Sequence, residues 1–94
     1  MPASLLSPAQ ISTELAATPS WQIENGELTR TFTLADFRAA LALVNQVGEF
    51  AEAANHHPDI DIRWNRVRLA LVTHSEGGLT QKDFDLAAQI DSLV

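Results

Sequence analysis

Apolar residues recur along this chain at two different periods, and the switches between those periods mark out its elements. Ile11 and Leu15 are four apart, the spacing of one helical face. Ahead of them, Ser7 is placed to cap, Pro8 suits the first helical position and Gln10 can reach back to close a capping box. Met1 to Leu6 reads as a loose lead-in, and Thr18-Pro19 ends the helix. From Trp21 to Phe32 the period is two, interrupted by Asn25-Gly26, which tolerates the positive φ angles of a two-residue hairpin turn. With Ile23 opposite Leu28, residues Trp21, Ile23, Leu28 and Phe32 share one face. Trp21 and Phe32 are candidates for core or subunit contact.

Helical spacing returns with Phe37, Leu41, Val44 and Val47, read as a core stripe. The segment is expected to open at Thr33 as cap, with Asp36 in the favourable first turn, and to run to about Asn55. Gly48 is either a mild weakness or a point of close packing. Pro58 excludes helical backbone before it and stops the helix. Period two then resumes: Ile60, Ile62 and Trp64 on one face, Asp61 and Arg63 on the other. A turn near Asn65-Arg66 leads to Val67, Leu69, Leu71 and Thr73 on the core side, with His74 on the opposite parity. A strict two-residue turn there would set Arg63 against Arg68, so a bulge or longer turn is expected. After the Ser75–Gly78 loop, Thr80-Gln81-Lys82-Asp83 caps a last helix that turns Phe84, Ala87, Ala88, Ile90 and Leu93 inward.

The order helix-strand-strand-helix-strand-strand-helix predicts an α+β fold, a four-stranded antiparallel sheet with helices packed on one face. The open face and edges of such a sheet need cover, which edge pairing with another copy supplies; a homodimer or homotetramer is expected. Ninety-four residues with no internal linker or charge run are expected to form one domain, 1–94.

Charge and composition narrow the functions open to such a fold. Twelve acids against six bases give a net charge of −6, with Lys82 the lone lysine, a surface that repels phosphate backbones and argues against direct nucleic-acid binding. With no cysteine, disulfides and thiolate zinc sites are excluded. No apolar run approaches the roughly 20 residues that cross a bilayer, and no basic segment followed by an apolar one opens the chain. A soluble cytoplasmic protein is expected.

All three histidines, His56, His57 and His74, fall between the end of the long helix and the end of the last strand. Histidine is the side chain best suited to give and take protons near neutral pH. Glu52 is four residues before His56, one helical turn away, where a carboxylate can orient an imidazole. The full spacing is Glu52, three residues, His56-His57-Pro58, five residues, Trp64, nine residues, His74, eight residues, Asp83. This resembles the signature of the pterin-4a-carbinolamine dehydratase family, in which the aromatic position is Tyr or Trp. The similarity extends over the Asn-Gly hairpin, the long helix and the Gly-Leu-Thr start of the last helix, so most of the chain from Trp21 on. One departure is Ile60, where animal members often carry a Trp; an aliphatic residue resembles the microbial branch and removes one aromatic from the pterin's surroundings.

The resemblance implies a dehydratase that takes water from a 4a-hydroxytetrahydropterin to give quinonoid dihydropterin, in recycling of the hydroxylase cofactor, with neither metal nor organic cofactor. It implies catalytic roles for His56, His57 and His74. His56 and His74 are assigned the proton transfers and His57 the orientation of the pterin. Glu52, Pro58, Asp59, Trp64 and Asp83 are implied as binding or supporting residues, with Glu52 beneath His56 and Asp83 holding the His74 loop or touching a histidine.

Each of these residues also has a plainer reading. A histidine at a helix C-terminus satisfies the last carbonyls and the dipole, one at a strand end is a surface residue, Asp83 completes a capping box, Glu52 belongs to a solvated face, and Trp64 packs in the second hairpin. Glu52 and the histidines are also possible metal ligands, but neighbouring histidines rarely both face one ion. Animal members of the family double as dimerisation cofactors of a homeodomain transcription factor. A non-enzymatic pterin-binding or protein-interaction module, or a part in molybdenum-cofactor enzyme maturation, is therefore the alternative to catalysis.

Overall fold

The computed structural model describes residues 4–94. Helix α1 (Pro8–Ala17) is closed by the expected capping box, in which Gln10 N–H donates to Ser7 Oγ at 3.2 Å and Ser7 N–H to Gln10 Oε1 at 2.8 Å. The first hairpin, β1 (Gln22–Glu24) and β2 (Glu27–Thr33), turns on Asn25 and Gly26 at φ 52° and 78° and sets Ile23 opposite Leu28, as the alternation predicts. The expected lead-in lies partly outside the described residues. Its end is not loose: Leu6 N–H donates to the Leu79 carbonyl at 3.0 Å, and its side chain packs on the core.

Helix α2 (Phe37–Ala54) starts later and faces differently from the expectation. Strand β2 keeps pairing through Thr33, which sits opposite Arg66, so Thr33 has no freedom to cap. Asp36 caps instead, accepting Ala39 N–H at 2.8 Å. The buried stripe is Ala40, Leu43, Val47 and Ala51; Phe37 and Leu41 are 48% and 41% exposed, and Val44 is only partly buried.

Strands β3 (Asp59–Arg63) and β4 (Arg66–Leu71) complete an antiparallel sheet of order β1-β2-β4-β3. Their turn is the two residues Trp64-Asn65, one position earlier than expected and without a bulge. Asn65 pins it there, its backbone carbonyl accepting from Leu34 N–H at 2.8 Å and its side-chain amide donating to the Leu34 carbonyl at 3.0 Å. The shift sets Asp61 opposite Arg68, which also has Glu24 at 3.6 Å. Arg63 still opposes another arginine, Arg66, but the two flank the turn and both are exposed, so water and salt screen the pair. The shift costs Trp64 its place on the core face: it sits in the turn at φ 50° and is 68% exposed.

Helix α3 (Gln81–Asp91) buries Phe84, Leu86, Ala87 and Ile90, while Ala88, expected inward, faces solvent. The helices share one face of the sheet. Its Leu28, Phe32, Val67, Leu69 and Leu71 join Leu43 and Val47 of α2 and Phe84 and Ile90 of α3 in one core. Trp21 packs edge-on against Phe32, and Asp91 accepts from both Trp21 Nε1 at 2.7 Å and Arg30 Nη1 at 2.5 Å, tying the first hairpin to the last helix. Among the described residues no helix is long and apolar enough to cross a membrane.

Gly48 does not serve close packing: a Cβ built there meets nothing within 4 Å. Alanine avoids the backbone-entropy cost of glycine in a helix interior. Gly48→Ala is therefore expected to raise stability by about 0.5–1 kcal/mol, read as a higher urea midpoint at unchanged slope.

Candidate functional site

The C-terminus of α2 is where the candidate chemistry gathers. The helix is ended not by Pro58 but by Asn55, in left-handed backbone at φ 50°, ψ 44°. Asn55 N–H donates to the Glu52 carbonyl at 3.2 Å and His56 N–H to the Ala51 carbonyl at 3.0 Å, the paired closure that satisfies a helix's last acceptors. His56 is thereby fixed at its backbone before its ring makes any contact. Pro58 restricts His57 to extended backbone and leads into Asp59, the exposed first residue of β3.

The left-handed residue also removes the one-turn spacing on which a Glu52–His56 pair depends. Glu52 instead meets His57 at Nε2. That pair stands in solvent, its side chains 56% and 77% exposed for His57 and Glu52, so it orients a ring while adding little stability. His56 turns inward, only 8% exposed, and its Nε2 lies 2.6 Å from Asp83 Oδ1.

Asp83 is fully buried and divides its two oxygens between two tasks. Oδ1 faces His56; Oδ2 accepts from Thr80 N–H and Thr73 Oγ1, both at 2.9 Å. The capping-box reading and the histidine-contact reading of Asp83 are thus both realised. The Thr73 and Thr80 hydroxyls are 2.7 Å apart. Among the described residues no buried side-chain nitrogen or oxygen lacks a partner. Sequence reasoning missed Thr73 and Thr80 as parts of the site. The available signal was a threonine on the core parity of β4, since a buried hydroxyl needs a partner.

His74 opens a single 3₁₀ turn, His74–Glu76, and is exposed. Its loop is closed by Thr73 N–H donating to the Gly78 carbonyl at 3.0 Å and by Gly77 at φ 76°. His74 is linked to His56 through its neighbour Thr73 and the shared Asp83. Trp64 is not brought to the histidines within one chain. It stands at the far end of β3, beside Phe37 and Leu41 at the opposite end of α2, a helix of 18 residues and so about 27 Å long.

Two adjacent imidazoles thus each hold a carboxylate at Nε2, leaving Nδ1 to work, while a third imidazole projects from the neighbouring loop. Such a set can supply and remove protons at two points of one small molecule. Among the described residues no three His, Asp or Glu side chains are placed to share a metal ion.

Comparison with known proteins gives a consistent family. A family model described as pterin 4 alpha carbinolamine dehydratase matches residues 4–93. A Chloroflexus aurantiacus protein named "Putative pterin-4-alpha-carbinolamine dehydratase" is 62% identical over 89 residues, covering 95% of this chain and 96% of that one. An Acidobacterium capsulatum protein of the same name is 56% identical over 89 residues, covering 95% and 97%. Among solved structures, a transcriptional coactivator/pterin dehydratase from Brucella melitensis superposes with a TM-score of 0.89 at 32% identity over 94% of this chain and 96% of that one. A pterin dehydratase-like protein described as a RuBisCO assembly factor in the alpha-carboxysome shares the fold at a TM-score of 0.63 and 20% identity, covering 78% and 84%.

Removing Asp83 strands one buried hydroxyl, that of Thr73, together with the Thr80 amide at the start of α3 and the His56 imidazole. Asp83→Ala is expected to cost about 2–4 kcal/mol of folding stability, measured by urea unfolding; a loss below about 1 kcal/mol would show that this carboxylate holds nothing together.

Proposed function

The chain belongs to the pterin 4 alpha carbinolamine dehydratase family, and on that premise we propose that it dehydrates 4a-hydroxytetrahydropterins in the cytoplasm, regenerating quinonoid dihydropterin for reduction back to the hydroxylase cofactor. The observation that carries this reading is the pair of neighbouring histidines, each with its own carboxylate, His56 with Asp83 and His57 with Glu52. The C4a–O bond breaks as an acid protonates the departing hydroxyl. A base takes the N5 proton, and the N–H electron pair becomes the C4a=N5 double bond. Water is the only other product, so no oxidant, reductant or metal enters the balance. His56 and His74 are assigned the two proton transfers, and His57, oriented by Glu52, is assigned to hold the pterin, with Asp59 and Pro58 shaping the entrance to β3.

A second copy of the chain is part of the reading. Strand β3 is an edge strand, and Ile60 on it is 39% exposed. Antiparallel self-pairing centred on Asp61 would set Asp59 of one copy across from Arg63 of the other, twice, with Ile60 against Ile62 between them. The exposed Phe37, Leu41 and Trp64, around a cavity of about 560 Å³, favour a second reading, a module that binds another protein through this apolar end of α2.

Two measurements test these assignments. In stopped-flow breakdown of a 4a-hydroxypterin, the protein is expected to accelerate dehydration. His56→Ala and His74→Ala should each lower kcat by about 10²–10⁴-fold, and His57→Ala should act mainly on KM. No acceleration by correctly folded protein would overturn the dehydratase in favour of the binding module. In analytical ultracentrifugation the 10.3 kDa chain is expected to sediment as a dimer or tetramer, and Arg63→Glu to weaken association; an unaltered assembly in that variant would rule out the β3 register.

A further inference from the structure

The groups behind His56 form a chain of hydrogen bonds whose direction follows from counting protons. An ionised carboxylate has none to give, so the 2.9 Å contact of Asp83 Oδ2 with Thr73 is a bond donated by the threonine hydroxyl. A hydroxyl has a single hydrogen, and that of Thr73 is now committed. In the 2.7 Å contact between the two threonines, Thr80 is therefore the donor. Its oxygen keeps lone pairs to accept Lys82 N–H at 3.3 Å. Oδ2 receives a second donor, Thr80 N–H, at 2.9 Å. What remains is Oδ1, facing His56 Nε2 at 2.6 Å in a buried setting, so Nε2 carries a hydrogen whether or not the ring is charged. The hydrogen bond made by one ring nitrogen decides what the other can do.

We propose that Thr73 is a positioning residue: through Asp83 it holds neutral His56 in the Nε2–H form, making Nδ1 the atom that exchanges a proton with the ligand. Thr73 has a second attachment. It directly precedes His74, and its backbone N–H is bonded to the Gly78 carbonyl at 3.0 Å. One fully used threonine thus registers the His74 loop against the ring of His56. Without its hydroxyl, Oδ2 loses one of two donors and the Thr80 hydroxyl loses its acceptor and turns toward the carboxylate or elsewhere. Asp83 is then free to rotate, and the constraint on His56 is relaxed. The opposite arrangement, a protonated Asp83 giving its hydrogen to Nε2, would leave the neutral ring with its hydrogen on Nδ1.

The catalytic meaning of this inference rests on the dehydratase reading, but the tautomer does not, so the two are tested separately. Long-range ¹H–¹⁵N correlation spectra of uniformly labelled protein, titrated until the imidazoles are neutral, report the His56 tautomer without any pterin. The unaltered protein is expected to show Nε2–H with an unprotonated Nδ1. Thr73→Val is expected to give a mixture of tautomers, with kcat for 4a-hydroxypterin dehydration lowered about 10-fold and KM within about 2-fold of the original. Thr73→Ser is expected to restore both. A neutral His56 carrying its hydrogen on Nδ1 in the unaltered protein overturns the proposal, and this measurement decides alone if Thr73→Val does not fold. A folded Thr73→Val that keeps a pure Nε2–H form and full kcat overturns it as well. Absence of dehydration by the unaltered protein would remove the dehydratase reading and leave the spectra to decide the tautomer.

Discussion

A carboxylate taken out of water costs several kcal/mol unless its lone pairs find donors in their new surroundings. Asp83 is fully buried and meets that demand with one donor from each of three different sources: the amide of its own helix cap, a hydroxyl from the end of β4, and the imidazole that follows α2. The start of α3, the loop after β4 and the exit from α2 are therefore held to one another at a single side chain. The exit from α2 is distant in sequence from the loop and helix start it meets, and the hydrophobic core alone would leave these polar ends free to settle independently. The carboxylate fixes their relative placement with the directionality that apolar packing lacks.

The two paired histidines show what burial does to otherwise similar contacts. His57 and Glu52 meet in solvent, where an ion pair is weak and its partners exchange easily with water. His56 and Asp83 meet inside, where the partner cannot be replaced by water and every remaining lone pair must be accounted for. Adjacent residues thus carry one adaptable ring and one fixed ring. The division comes from backbone direction alone, since the side chains are chemically identical.

Much of this was legible in the sequence where a local rule acts alone. Asn25-Gly26 specified the first hairpin and its register, and Ser7 with Gln10 and Thr80 with Asp83 specified two helix starts, because each depends only on residues within reach of one another. The family resemblance located the histidines and both carboxylates. What was not legible depended on competition between elements. Thr33 is a good cap by type, but β2 claims its backbone for pairing with Arg66. Phe37 and Leu41 match helical spacing, yet the face that meets the sheet is the one with Ala40 and Ala51, and no periodicity count favours alanine over phenylalanine. The second turn came one residue early because Asn65 is bonded to Leu34, a contact 31 positions away in sequence. That shift displaced Trp64 from the core. Helical spacing pairs Glu52 with His56, but that spacing does not hold across the left-handed Asn55, and Glu52 meets His57 instead.

That helix end has a consequence of its own. Asn55 adopts a backbone conformation that asparagine tolerates better than most residues with a Cβ. Were the coil of α2 to continue through it, every later side chain would swing by about 100° per residue about the axis. His56 would then come to rest above Glu52, and the buried carboxylate would lose its imidazole to the surface. Two proton circuits are in this sense written into the same four letters, Glu, Asn, His and His. A residue with no reactive group of its own selects between them through the handedness of its own backbone.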